Sequence, residues 1–331
     1  MPLTNRLKLL KNYLKKNSFA SHGPVEVGIE ITNRCNLNCI MCSRQIMKRP
    51  EGDISWQLFK KIVDQTHKTA EIYGLYGLGE PLLNPKVFKM IDYCHEKGVP
   101  VALSTNAVLL NKKIAEKLIN HPPDHLLFAL DAHREKTYQK IRRGKNLKRV
   151  QENIQYYLKR KQEERPPTFA AILFVKQALN KKEVKPFKKY WQSKGASHIH
   201  IKPVAEKINL KPGSARPRHC LSPWRYFVVT WQGEVHACCL DANNTFRLGN
   251  MKNQSFESIW NSPVWQSLRV SFKTGRLKPL CRCCTLRQPS LLAAIIMSIF
   301  PELTIKKLVP IADQIRELSP RLISIMLGQK K

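Results

Sequence analysis

Val25-Glu26-Val27-Gly28-Ile29-Glu30-Ile31-Thr32-Asn33-Arg34-Cys35-Asn36-Leu37-Asn38-Cys39-Ile40-Met41-Cys42 is the stretch that decides how this chain is read. Residues 25–31 are a short run rich in β-branched side chains, the mark of a strand. Three cysteines follow at once, spaced by four and by three. Thiolates are the usual ligands of iron–sulfur clusters. A cubane has four irons, and three thiolates leave one of them open to a substrate or cofactor. The competing reading is a helix, because cysteines four and seven residues apart stand on one helical face. Asn33, Asn36 and Asn38 argue against it, since asparagine favours loops and turns.

Outward from this loop the chain alternates. Strands are expected at 25–31, 71–76, 100–104, 126–130, 168–175 and 197–202. Helical patterns fall near 55–67, 85–97, 111–120, 147–163 and 181–193. Six strands separated by helices call for parallel pairing with right-handed crossovers. Six units are fewer than the eight of a closed barrel, so an α/β fold with an open, partial (β/α)6 barrel is expected. Four regions result. Residues 1–24 hold a basic amphipathic helix, with Leu3, Leu7, Leu10 and Leu14 on one stripe flanked by Lys8, Lys11 and Lys15. The barrel takes 25–205. A linker with Pro212, Gly213 and Pro217 opens a small cysteine-rich domain at 206–288. Residues 289–331 read as an apolar and basic helical tail.

The sequence has 331 residues, with 57 Lys and Arg against 24 Asp and Glu, a formal net charge of +33. Such an excess favours an anionic partner. The basic residues are spread along the chain without a recognised RNA-binding module, so nucleic acid is not the expected partner. The terminal helices point instead to peripheral contact with a membrane surface. Met1 to Lys16 has no continuous apolar core, and Leu291 to Phe300 is too short to span a bilayer. The expected location is the cytoplasm, on the inner membrane surface where it meets lipid. Ten cysteines in a reducing compartment point to metal rather than disulfides. Cys94, in a helical pattern, reads as a buried apolar residue.

The Cys35-x3-Cys39-x2-Cys42 loop after the first strand resembles the radical S-adenosylmethionine (SAM) superfamily. That resemblance implies a 4Fe–4S cluster whose open iron is chelated by the cofactor's methionine. An electron from a flavodoxin- or ferredoxin-type donor then cleaves SAM to a 5′-deoxyadenosyl radical that abstracts hydrogen from substrate. Gly77-Leu78-Gly79-Glu80-Pro81 is similar to the family's glycine-rich motif, which makes Gly77, Gly79 and Glu80 expected cofactor contacts. Ser104-Thr105-Asn106 ends the third strand, where the family places further contacts, so Ser104 and Asn106 join them. Relatives often read Ser-Leu-Asp-Gly at the fourth strand end, where this chain has Ala129-Leu130-Asp131-Ala132. With that serine absent, Arg142 is expected to serve the cofactor's carboxylate, as a guanidinium fork suits it. A solvated arginine in a basic run with Arg143 and Lys145 is the alternative.

Cys220, Cys238, Cys281 and Cys284 form a second set. With Pro223-Trp224, Gly233-Glu234-Val235, Leu248-Gly249-Asn250 and Ile259-Trp260-Asn261, they closely resemble the front half of the SPASM domain, an appendage carrying auxiliary clusters. No cysteine follows Cys284, so the resemblance implies one auxiliary 4Fe–4S cluster on these four thiolates. This is the shortened form of an aminoglycoside-dehydrogenating relative. Cys239 and Cys283 are left over and could stand in for a neighbour. Zinc on the same thiolates would be redox-inert. A fully ligated cluster can relay or accept an electron. Acceptance gives a dehydrogenation and needs a base, for which Asp241 is the candidate. The other reading of Asp241 is a turn residue in Asp241-Ala242-Asn243-Asn244. Without net oxidation, epimerisation or carbon–carbon bond formation remains open. A small molecule, or one linked to lipid or sugar, is the expected substrate. Peptide maturation and RNA modification are the alternatives. Peptide-modifying relatives often carry a leader-binding domain before the barrel, and only 24 residues precede the first strand here.

Overall fold

Six strands pair in the order in which they occur, every pair parallel. They are β1 (Glu26–Ile29), β2 (Ile72–Gly74), β3 (Val101–Thr105), β4 (His125–Ala129), β5 (Phe169–Lys176) and β6 (Ile199–Pro203). Each overlaps an expected strand. The computed structural model describes residues 3–204, 220–238, 241–282 and 284. The returning helices are α2 (Trp56–Thr66), α3 (Val87–Glu96), α4 (Lys112–Asn120), α6 (Leu147–Glu164) and α7 (Val184–Ser193). Their starts are chemically specified. Ser55, Asn111 and Asn146 accept hydrogen bonds from the backbone of the first turn of α2, α4 and α6. Along β3, Val101, Leu103 and Thr105 are fully buried toward one side, while Ala102 and Ser104 share the other. Tyr73 in β2 buries its ring and bonds Thr66 of α2 through its hydroxyl at 2.9 Å.

One helix of the barrel was not expected. The segment α5 (Glu135–Arg142) reads Glu-Lys-Thr-Tyr-Gln-Lys-Ile-Arg and buries only Tyr138, Ile141 and Arg142. Two apolar residues in eight are too few for a helical period to show. It ends at Arg143 in the left-handed conformation, φ 53°.

The cysteine-rich block is not a separate bead on the barrel. After α8 (Ser222–Arg225), β7 (Tyr226–Val229) pairs parallel to β1, with Glu26 opposite Tyr226. Strands β8 (Glu234–His236) and β9 (Gly249–Asn250) follow antiparallel. One nine-stranded sheet results, ordered β6-β5-β4-β3-β2-β1-β7-β8-β9. The sheet therefore crosses the division expected at 205/206 and covers the β1 edge. Gly233, φ +87°, turns the hairpin where a Cβ would meet Asn250 Oδ1 at 2.7 Å. Three helices complete the block: α9 (Phe256–Trp260), α10 (Pro263–Thr274) and α11 (Pro279–Arg282). The first two pack an aromatic cluster on β7, with Phe227 stacked on Trp265 at 5.5 Å and Trp265 4.7 Å from Trp260.

The N-terminal helix α1 (Leu3–Leu14) forms, and the face it packs on the fold is not the leucine stripe. Leu7 and Leu14 are exposed, and Leu10 is half-buried. The buried face is Arg6, Leu9, Asn12 and Tyr13. Tyr13 meets Trp224 edge-on at 5.8 Å, and Arg6 pairs with Glu71 before β2. An aromatic contact and a buried ion pair thus outweigh the leucine stripe. The tail expected at 289–331 lies outside the described residues. Among those described, no helix is long and apolar enough to cross a membrane.

Candidate active site

The strands deliver their C-terminal ends to one place, as parallel β/α sheets do. Beyond β1 the cysteine loop is held open rather than wound into a helix. Asn33 is buried and clamps the segment opposite, donating to Pro50 O at 2.8 Å and accepting from Gly52 N at 2.8 Å. Ile40 N donates to Ile141 O at 2.9 Å, docking the loop on the end of α5. N–H groups surround the thiols. Arg44 N lies 3.5 Å from Cys42 Sγ, Asn106 Nδ2 3.9 Å from Cys35 Sγ, and Arg142 Nη1 3.6 Å from Cys39 Sγ. Burial pushes the Cys35 and Cys39 thiols up; the Leu37 N–H opposes this at Cys35 and the Arg142 charge at Cys39.

The glycine-rich turn packs against this loop. A Cβ on Gly79 would lie 2.3 Å from Thr32 O, so only glycine lets the two backbones pass. Glu80 N donates to Arg34 O at 2.8 Å. The buried Glu80 carboxylate accepts from Thr105 Oγ1 and Asn106 N at 2.8 Å each, and from Leu82 N at 3.1 Å. Burial raises its pKa against these three donors. Glu80 therefore brackets β2 to β3 and aims Asn106, which donates to Asn36 Oδ1 at 2.7 Å. A Cβ on Gly77 would touch Glu30 Cγ at 2.8 Å. Ser104 sits one step back, half-buried in β3.

The second set gathers from distant elements. Cys220 precedes α8, Cys238 follows β8, Cys281 lies in α11, and Cys284 stands just beyond it. Burial pushes Cys281 up to about 12, and the neighbouring Cys220, Cys284 and Asp241 add to the rise. Tyr13 of α1 is raised by burial and by Cys220, so α1 also borders this set. A hydrogen-bonded seam joins the two sets. Arg49 grips Glu30 with both nitrogens at 2.9 Å and donates to Ala242 O at 2.7 Å. Asn243 accepts from Lys48 N at 2.7 Å and donates to Ile46 O at 2.9 Å. Trp231 donates to Pro50 O at 3.2 Å.

Comparison with known proteins agrees with this geometry. The family model of the radical SAM superfamily matches residues 29–178, and that of the SPASM iron–sulfur cluster-binding domain matches 220–285. The chain is a radical SAM protein with a SPASM domain. It is 25% identical over 316 residues to the tungsten-containing aldehyde ferredoxin oxidoreductase cofactor-modifying protein of Pyrococcus furiosus, covering 78% of this chain and 86% of that one. It is 26% identical to the antilisterial bacteriocin subtilosin biosynthesis protein AlbA of Bacillus subtilis, covering 78% of this chain but 65% of AlbA. Native anSMEcpe with bound AdoMet shares the fold, with a TM-score of 0.60 and 16% identity over 88% of this chain and all of that one.

A radical SAM protein with a SPASM domain takes SAM and 4Fe–4S clusters as cofactors, and the residues present fit them. The first loop offers three soft thiols ringed by N–H donors. Among the described residues no three His, Cys, Asp or Glu side chains meet around a single-ion position. A cubane spreads its thiolates over separate irons. Arg142 is not the solvated arginine of the alternative reading. It is buried, pairs with Asp131 at 2.7 Å and reaches Cys39. The fork is thus partly committed before any cofactor arrives. Its Nε is a buried donor with no hydrogen-bond partner among the described residues, which fits an anionic group.

Asp241, the expected base, is used differently. Its Oδ1 accepts from Thr245 N at 2.7 Å and Thr245 Oγ1 at 2.8 Å, and its Oδ2 from Phe246 N at 3.0 Å. Its own N–H donates to Cys238 O at 3.1 Å. This is the turn role weighed as the alternative, and it holds the turn beside Cys238. Cys239 and Cys283 lie outside the described residues. Sequence reasoning missed Glu30, Arg49, Thr105 and Asn36. Asn36 and Thr105 stood in motifs that were read without a role of their own, and Glu30 left a trace as a carboxylate near the end of an apolar strand.

Proposed function

We propose that this radical SAM enzyme oxidises its substrate by two electrons, a dehydrogenation in which an auxiliary cluster on Cys220, Cys238, Cys281 and Cys284 takes the second electron. Bound SAM and the cluster on Cys35, Cys39 and Cys42 supply hydrogen abstraction. With SAM cleaved by one electron from an external donor, the resulting radical would take a hydrogen atom from the substrate, and the substrate would then lose an electron to the auxiliary cluster and a proton to solvent. The observation that carries this reading is the Glu30–Arg49–Ala242 and Lys48–Asn243–Ile46 seam, which ties the first cysteine loop directly to the auxiliary turn. Asn106 and Arg142 hold Cys35 and Cys39 in place, and Glu80 holds Asn106. Epimerisation would need no electron acceptor. The substrate class is a small molecule, free or linked to lipid or sugar.

Iron analysis of the anaerobically purified protein tests it. Two cubanes require about eight irons per chain, and the Cys35→Ala, Cys39→Ala, Cys42→Ala triple variant should keep about four. Zinc without iron in that triple variant would end the redox role of the second set. A second reading, modification of a peptide, draws support from the relative named for bacteriocin biosynthesis. Comparing peptide and metabolite fractions of cells with and without the protein separates the two. A peptide changed in mass favours maturation, and a small molecule short of two hydrogens favours dehydrogenation.

A further inference from the structure

Helix α1 has two faces, and only one of them packs. Arg6, Leu9, Asn12 and Tyr13 point inward. Leu7, Lys8, Lys11, Leu14 and Lys15 are all exposed, and at about 100° per residue they fall within one arc of roughly 120°. The helix is held firmly while it presents that arc. Lys16 Nζ donates to Phe272 O of α10 at 3.1 Å, and Arg269 donates to Ser18 O at 2.9 Å. Between the two helices lies a recess of about 540 Å³, lined by Lys8, Lys11, Lys273, Asn12, Ser21 and Phe19 among others.

Three observations bear on what this face takes. Its charge is one-sided, because no Asp or Glu occurs in residues 1–25 or 258–301. Its polar lining offers ammonium, amide and hydroxyl donors and no carboxylate. Its rim is apolar as well. Of seven large apolar side chains exposed among the described residues, Leu7 (50%), Leu14 (47%), Phe19 (57%) and Val270 lie on α1, its exit loop and α10. Lysines alone would suit any polyanion. Lysines interleaved with exposed leucines and a phenylalanine suit a surface that is anionic outside and hydrocarbon beneath.

We propose that the α1–α10 joint is a docking face for an anionic lipid bilayer, with a lipid phosphate in the Lys8–Lys11–Lys273 recess and Leu7, Leu14 and Phe19 entering the headgroup boundary. The cysteine loop is not part of this face, so docking places the enzyme without occupying its chemistry. Each lysine at an anionic leaflet contributes about fivefold in affinity, and salt screens the effect.

The test is co-sedimentation of the full-length protein with vesicles of phosphatidylcholine alone or mixed with phosphatidylglycerol. The protein should pellet with the mixed vesicles at low salt, release at high salt, and ignore the neutral ones. The Lys8→Gln, Lys11→Gln, Lys273→Gln variant should bind about 100-fold more weakly at unchanged iron content and melting temperature. Leu7→Ser with Phe19→Ser should also weaken binding. Retention of wild-type affinity in the lysine variant would move the contact to another surface and overturn the proposal. So would failure of the wild-type protein to pellet at low salt. Lysine-dependent binding of a single-stranded RNA 30-mer, with no vesicle binding, would overturn it in favour of nucleic acid.

Discussion

The two cysteine sets are built in opposite ways. Cys35, Cys39 and Cys42 lie in one loop of eight residues, and neighbouring strand ends only hold that loop still. Cys220, Cys238, Cys281 and Cys284 come from four places that meet only once β7 has joined β1 and the block has folded over it. A site written in one loop depends on local hydrogen bonds. A site written across 65 residues depends on the fold of everything between. The seam at Arg49 and Asn243 is where the two kinds of site meet.

The hardest test of this contrast is a pair of thiol variants. Cys39→Ala should reduce 5′-deoxyadenosine formation to background, because an incomplete thiolate set does not keep the SAM-binding cluster. Cys281→Ala should keep cofactor cleavage and about half of the iron while losing product. Equal product from both variants would dissolve the division of labour. The seam comes next in size. Arg49 and Glu30 are both almost fully buried, so Arg49→Ala should cost about 3–5 kcal/mol in stability, far more than an exposed pair would. Chemical denaturation reads this directly, and a loss under 1 kcal/mol would show that the two halves are joined elsewhere. Arg142→Gln leaves Asp131 buried without its cation and Cys39 without its guanidinium. Partners that orient a ligand typically contribute 10–100-fold, and cluster retention should fall by about that much while the second set keeps its iron. Equal iron loss at both sets would mean that Arg142 serves the whole fold.

The same contrast explains what the sequence made legible. The first loop was readable because its spacing, its asparagines and its place after a β-branched strand are all local. The six barrel strands were readable for that reason too. Helix α5 was not, since its burial rests on Tyr138 and Ile141 amid charged neighbours. The β1–β7 pairing was not, because parallel partners 200 residues apart leave no turn between them. The Tyr226-Phe-Val-Val-Thr run followed by Gly233 did carry a strand-and-turn signal. The face of α1 that packs was not legible, because it rests on tertiary contacts of Tyr13 and Arg6 rather than on the leucine stripe. Asp241 showed its turn chemistry in sequence, and the structure uses it as such.

The smallest predicted effect concerns the scaffold beneath the second set. His22 is buried, donates through Nε2 to Trp224 O at 2.8 Å and receives Asn12 Nδ2 at Nδ1 at 3.0 Å. Both bonds are satisfied by neutral imidazole, and burial lowers its pKa from 6.5 to about 4. The unfolded chain therefore binds the proton first. Stability from this residue is fully present above pH 6.5 and is lost as pH falls through the window toward 4. Between pH 7 and 5.5 the loss is about 1 kcal/mol. Trp224 stands four residues beyond Cys220 and packs on Tyr13, so the loosening should reach the second set before the first. Iron release followed at pH 7 and 5.5 should show the auxiliary iron leaving faster at the lower pH. A His22→Gln variant should flatten that difference, because an amide has no proton to gain. Equal acid sensitivity of both sets, unchanged in His22→Gln, would show that α1 only borders the auxiliary site and does not support it.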